Sequence, residues 1–245
     1  MEENWVVFPS SVKDEFSVFS IDAAFAGAAP LVSHPFVHWV ILNYAKQGFP
    51  DQIVDGKLVA FEDKLVDFLG TQQGAYVGRF TSVAGTRQLF FYAPENIIEN
   101  IRKFAQDASF DYDILMNVKE DPEWSLYLDF LYPSDFDWQR INLQQILMNL
   151  RKHGDKHEIP RNIDHYAYFE TENGAQAFEE YLEQGNFSSV VRSKADEKWN
   201  VSFQQYTAIE VSILEPVVLS LFKKSREIGG EYDGWGSPVM SSPEN

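Results

Sequence analysis

The break at Tyr132-Pro133-Ser134-Asp135 constrains this 245-residue chain more than any other feature. Proline pushes the residue before it away from helical geometry, and Asp135 or Asp137 just beyond can cap a new helix. Strand-like and helix-like runs come to an end at this break and restart after it. Two domains are therefore expected, 1–134 and 135–245, each within or near the usual size of about 100–200 residues. With 44% hydrophobic and 15% aromatic residues, both halves can fill a core, and wholesale disorder is excluded.

Short runs of β-branched and aromatic residues mark strands. In the first half they predict strands at Trp5–Phe8, Phe16–Ile21, Phe36–Tyr44, Tyr76–Ser82, Gln88–Tyr92, Tyr112–Val118 and Trp124–Leu131. Val83-Ala84-Gly85-Thr86 between two of them reads as a hairpin loop. Phe61, Leu65, Phe68 and Leu69 repeat at helical spacing and stop at Gly70. A second helix is expected to open at Pro94 and to bury Ile97, Ile98, Ile101 and Phe104. The second half reads helix, strand, helix, strand, strand, helix. Its last helix carries Leu214, Val218 and Leu221, with Pro216 expected in the first turn, where a missing N–H costs little.

The formal net charge is −17. Acidic residues number 19 in 1–134 and 18 in 135–245, against 9 and 11 basic ones. Neither half has the basic field that nucleic-acid binding needs. A basic protein segment would be attracted, although such a charge also serves solubility alone. There is no cysteine, which excludes disulfides, thiolate nucleophiles and cysteine-ligated metals. No apolar run is long enough to span a membrane. The acidic start Met1-Glu2-Glu3 is unlike a signal peptide, so a cytoplasmic location is expected.

Catalytic motifs are missing. No serine lies in a Gly-x-Ser-x-Gly elbow, and there is no phosphate-cradling glycine loop. His34 and His38 are four apart, but Phe36-Val37-His38-Trp39-Val40 reads as a strand and no zincin glutamate accompanies them. His153 and His157 flank a helix-breaking glycine. No metal, cofactor or catalytic residue is expected.

Gly229-Gly230-Glu231-Tyr232-Asp233-Gly234-Trp235-Gly236 is the most specific local feature. Its four glycines permit tight or left-handed turns, so an ordered turn that folds back after the last helix is predicted. Tyr232 and Trp235 either dock on their own domain or face a partner. In the second case one stays partly exposed beside Glu231 and Asp233, as aromatic anchors of interfaces do.

Glu231-Tyr232-Asp233-Gly234-Trp235-Gly236 resembles the C-terminal motif of the RraB family, the regulators of ribonuclease E activity. Leu150–Asp155, Ile163–Phe169, and Ala177-Phe178 with Gly185 extend the resemblance over about residues 137–236. It implies an α+β sandwich that binds a ribonuclease and lowers its cleavage of RNA. The first half is similar to a bacterial domain of unknown function, family six-nine-five, through Gly48-Phe49-Pro50, Phe61-Glu62-Asp63 and Asp129–Pro133.

The expected fold is α+β, with two α/β-sandwich domains, the C-terminal one ferredoxin-like. The expected function is a non-enzymatic regulator that binds and inhibits a protein partner, such as a basic segment of an RNA-processing nuclease. Glu231, Tyr232, Asp233, Gly234 and Trp235 are its candidate protein-binding residues. The alternative is a hydrolase or small-molecule-binding enzyme in the N-terminal domain, which a cleft of convergent polar groups with shifted pKa values would favour. A flat patch of aromatic and acidic residues with no cleft favours the regulator.

Overall fold

The computed structural model describes residues 2–108, 110–195 and 197–240. The chain divides into two compact units, Met1–Asp137 and Trp138–Asn245. Each has its own antiparallel sheet, as an α+β chain with two domains requires.

The first unit is built on β1 (Trp5–Val12), β2 (Glu15–Asp22), β3 (Phe36–Asn43), β4 (Ala75–Ser82), β5 (Thr86–Ala93) and β6 (Asp113–Glu120), in the order β1-β2-β4-β5-β3-β6. Val12 pairs with Glu15, leaving Lys13 and Asp14 as a two-residue hairpin loop with φ of 51° and 66°. Primed turns need positive φ at both positions, and no glycine announces this one. The β4–β5 loop is the predicted one. Its Gly85 has φ +78°, and a Cβ there would come within 2.3 Å of the Ala45 carbonyl oxygen.

Helix α1 (Gln52–Thr71) starts nine residues earlier than Phe61. The Asp51 side chain accepts the Ile53 and Val54 N–H groups and fixes that start. The first two turns are largely exposed and so lack an apolar stripe. Helix α2 (Ile98–Asp107) does not open at Pro94. Four residues intervene, because Ala93 still pairs with Phe36 and the chain must leave the sheet before it can coil. Leu58, Phe61, Leu65 and Leu69 of α1 and Ile101 of α2 pack on Val40, Leu42, Leu89 and Phe91.

The predicted strand Trp124–Leu131 is instead a π-helical segment, Leu126–Leu131. The Asp121 carboxylate accepts the N–H groups of Ser125 and Leu126 and turns the chain. Trp124, Tyr127 and Leu131 are buried. Their spacing of three and four residues is helical, not alternating.

The second unit begins within the first turn of α3 (Asp135–Lys152) and runs on through β7 (Arg161–Phe169), α4 (Glu172–Leu182), β8 (Ser188–Ala195), β9 (Lys198–Thr207), α5 (Val211–Glu227) and β10 (Gly230–Gly236). The β-α-β-β-α-β order with sheet order β10-β7-β9-β8 is ferredoxin-like, and α3 precedes it. Pro216 is the sixth residue of α5, not in its first turn. It leaves the Ser212 carbonyl without its helical donor. Residues at odd positions of β7 and β9 (Ile163, Ala167, Phe169, Val201, Phe203) join Leu143 and Leu147 of α3, Phe178 of α4 and Leu214, Val218 and Leu221 of α5 in one core.

Two glycines of the first unit should respond oppositely to alanine. Gly85→Ala forces a Cβ into the Ala45 carbonyl at positive φ and should destabilise the protein by about 1–3 kcal/mol. Gly56→Ala, inside α1 with open space around it, should stabilise it by about 0.5–1 kcal/mol. Urea denaturation midpoints distinguish the two. Equal shifts would contradict this reading of the hairpin.

Candidate protein-binding face

The predicted terminal turn is a strand. β10 pairs antiparallel with β7 along its length, as Gly230↔Phe169, Glu231↔Tyr168, Tyr232↔Ala167, Gly234↔Tyr166, Trp235↔His165 and Gly236↔Asp164. Asp233 is the extra residue of a β-bulge between Tyr232 and Gly234. Residues three apart in a plain strand face opposite sides. The bulge cancels that offset, so Tyr232 and Trp235 both point into the core, 3% and 8% exposed. The expected exposed aromatic is therefore absent, because the bulge turns both rings inward. Glu231 and Asp233 remain exposed.

The glycines explain why a strand forms here. Gly230 faces the core opposite Phe169, where a Cβ would lie 2.2 Å from the Phe169 ring. Gly234, at φ +118°, completes the bulge. Downstream, a buried ion pair holds the chain. Arg161 Nη1 donates to Asp155 Oδ2 at 2.5 Å and to the Pro238 carbonyl at 3.0 Å, and the Met240 N–H donates to Asp155 Oδ2 at 2.7 Å. Burial works against the Asp155 charge, but these donors overcome it and hold its carboxyl below the usual range.

Sequence reasoning missed His165. It is fully buried, stacks on Phe203 at 5.1 Å, and its Nδ1 lies 2.7 Å from the Tyr232 hydroxyl. Burial lowers its pKa to about 4, more than nearby Asp164 and Gln205 raise it. The ring is therefore neutral at pH 7, and Tyr232 O–H can donate to Nδ1. The alternation of β7 already placed His165 on the core face with Ile163 and Ala167, which was the available signal.

The opposite face of the sheet carries the even-numbered residues Asp164, Tyr166 and Tyr168 of β7 and Ser202, Gln204 and Tyr206 of β9. Glu231 and the glycines 234 and 236 of β10 lie alongside. Tyr166 is 38% and Tyr206 70% exposed. Gln204 Nε2 donates to Asp164 Oδ1 at 2.9 Å. Aromatic and acidic residues thus lie side by side on this face.

The first unit holds a cleft of about 680 Å³, within the range of small-molecule sites. Glu62 lies at its base, 5% exposed. Its Oε1 accepts from Tyr76 O–H at 2.8 Å and Arg79 Nη1 at 2.5 Å. Its Oε2 lies 3.6 Å from Arg87 Nη1, and Arg87 also donates to Asp55. Burial and the Glu62 charge raise the Tyr76 pKa well above its ordinary value. Glu62 is thus held by a tyrosine and an arginine, with a second arginine close by, an arrangement suited to holding structure or a ligand.

His38 and His34 do not converge. His38 is buried against Phe91, its Nε2 accepts the Ile97 N–H at 3.1 Å, and burial lowers its pKa to about 4. His34 bonds Ser33 Oγ and the Gln73 carbonyl. His153 Nδ1 contacts the Asn149 carbonyl on α3, and His157 lies beside Asp155. Among the described residues, no group of three or more His, Asp or Glu side chains could hold a metal ion. No helix among them is long and apolar enough to cross a membrane.

Residues 3–132 match the model of a family described as Family of unknown function (DUF695), across the whole sheet of the first unit. The chain belongs to the DUF695 family. In this DUF695 chain, residues 140–237 also match the model described as Regulator of ribonuclease activity B (RraB). That second match spans the complete β7–β10 sheet and ends just after β10. No curated protein matches the chain. Among solved structures, an unknown protein from Galdieria sulphuraria is similar at 11% identity and a TM-score of 0.23, covering 83% of this chain and 99% of its own.

The two sides of β10 predict separable effects. Trp235→Ala empties a core site and should cost roughly 3–5 kcal/mol of stability. Glu231→Gln with Asp233→Asn should leave stability within about 0.5 kcal/mol of wild type. Thermal melting measures both. A Trp235→Ala protein that melts like wild type would contradict the inward placement.

Proposed function

We propose that the second unit is a protein-binding regulator that lowers the activity of an RNA-processing ribonuclease of the ribonuclease E kind. The supporting observation is that the RraB match covers the complete four-stranded sheet, including the strand that carries Glu231 and Asp233. In this reading Tyr232, Gly234 and Trp235 build the edge strand from behind. Glu231 and Asp233 meet a basic segment of the partner, for which the net charge of −17 supplies long-range attraction. The module acts by occupancy and not by catalysis, and it works in the cytoplasm, where RNA is processed.

The cleft of the first unit favours a second role for that unit, small-molecule binding. Its observation is the buried Glu62–Tyr76–Arg79 cluster at the cleft base.

Cleavage of an RNA substrate by a ribonuclease E-type endonuclease, measured with increasing amounts of the full chain, tests the regulator. A dose-dependent fall in rate that high salt abolishes is expected, because attraction between exposed charges is screened. An unchanged rate, with no complex detected by sedimentation at low salt, would overturn it.

A further inference from the structure

Four-stranded sheets with helices on one face and aromatic residues on the other are a familiar platform for stacking single-stranded RNA bases. The open face of the second unit has the aromatics but the wrong charge. Tyr166 and Tyr168 are successive outward residues of β7, about 7 Å apart by strand geometry. Tyr206 lies opposite Asn162 on β9. Around them stand the carboxylates of Asp164, Glu231 and Asp233. Among the described outward residues of the four strands, the cation is Lys198, which pairs with Glu170 at 3.1 Å. Arg192 sits opposite Val201, a core residue, and turns to Glu179 of α4 at 3.4 Å. Lys194 sits opposite Trp199 and lies over its ring. An RNA backbone laid on this face would meet carboxylates where it needs cations.

The glycines of β10 sharpen the chemistry. Gly234 and Gly236 pair with Tyr166 and Asp164 and share their outward face. A Cβ at either position would meet nothing within 4 Å. At Gly236 neither positive φ nor crowding calls for glycine. The floor beside Tyr166 is thus bare backbone, with a ring on one side and acids at both ends. A planar cation can lie there flat on the tyrosine and reach a carboxylate at its edge. Guanidinium does both, since it stacks on aromatic faces and bonds carboxylates through a rigid fork, whereas ammonium is a hydrated point charge.

We propose that the open β7–β9–β10 face of the second unit, with Tyr166, Tyr206, Asp164, Glu231 and Asp233, binds an arginine-rich extended protein segment. This rests on the protein-binding reading above and adds to it the surface and the residue type recognised. Charge complementarity selects a basic occupant, and the tyrosines with their glycine floor select arginine over lysine.

The test is fluorescence anisotropy of the full chain with three labelled probes: a peptide alternating arginine and glycine, the same peptide with lysine, and a single-stranded RNA. The arginine peptide should bind about tenfold more tightly than the lysine peptide, and the RNA should not bind. Tyr206→Ala and Tyr166→Ala should each weaken arginine-peptide binding about threefold to fivefold and lysine-peptide binding less. Asp164→Asn with Glu231→Gln and Asp233→Asn should weaken both peptides more than tenfold. Circular dichroism confirms that each variant is folded, and Tyr206, at 70% exposure, supplies a variant with little core to lose. Equal affinity for the two peptides, tighter binding of RNA, or arginine-peptide binding unchanged by these substitutions would overturn the proposal. The ribonuclease assay separates this failure from that of the broader reading. Inhibition that persists in the face variants refutes the face alone. Loss of inhibition in those same variants supports it.

Discussion

The second unit depends on one contact, the passage of the β10 backbone over the Phe169 ring at Gly230. With any side chain at 230, a Cβ would sit 2.2 Å from that ring, and the strand could not pair with β7 from its first residue. Once it pairs, the bulge at Asp233 sorts the rest of the segment. Tyr232 and Trp235 go to the core, and Glu231 and Asp233 go to water. At the far end the Arg161–Asp155 pair anchors the chain through Pro238 and Met240. The same few residues close the hydrophobic core on one side and complete an acidic, tyrosine-bearing surface on the other.

The main buried charges of both units have partners, as the cost of isolated buried charge demands. In the second unit Asp155 meets Arg161, and His165 stays neutral against the Tyr232 hydroxyl. In the first, Glu62 is held by Tyr76 and Arg79 with Arg87 close by. Two of these clusters tie separate elements together. Glu62 ties α1 to β4, and His165 ties β7 to β10. Breaking one partner of such a cluster leaves a charge or donor stranded, so each cluster helps to specify one arrangement of its elements.

Much of this was legible in the sequence. Alternation at Ile163–Phe169 and at Trp199–Tyr206 revealed the central strands, because a half-buried strand must alternate. The helical spacing of Leu143, Ile146, Leu147 and Leu150 revealed α3. Three things stayed hidden for physical reasons. The Lys13-Asp14 hairpin adopts positive φ without glycine. The Trp124–Leu131 run has a strand's composition, but the Asp121 cap coils it. β10 looked like a turn because its glycines suggested flexibility. One of them in fact answers to the Phe169 ring across the strand, a partner about sixty positions away that no local pattern names. The resemblance to a regulator family, which the match over residues 140–237 bears out, could not say which side chains of the segment faced out.

The central claim is that Gly230–Gly236 is the fourth strand of the sheet, so that its aromatics face the core and its acids face out. Hydrogen–deuterium exchange of the full chain, followed by mass spectrometry of the peptide covering 230–236, tests it most directly. The account predicts exchange much slower than that of an unstructured chain for the amides of this peptide that pair with β7, since paired strand amides open only with the sheet. Exchange at the rate of an unstructured chain would contradict it.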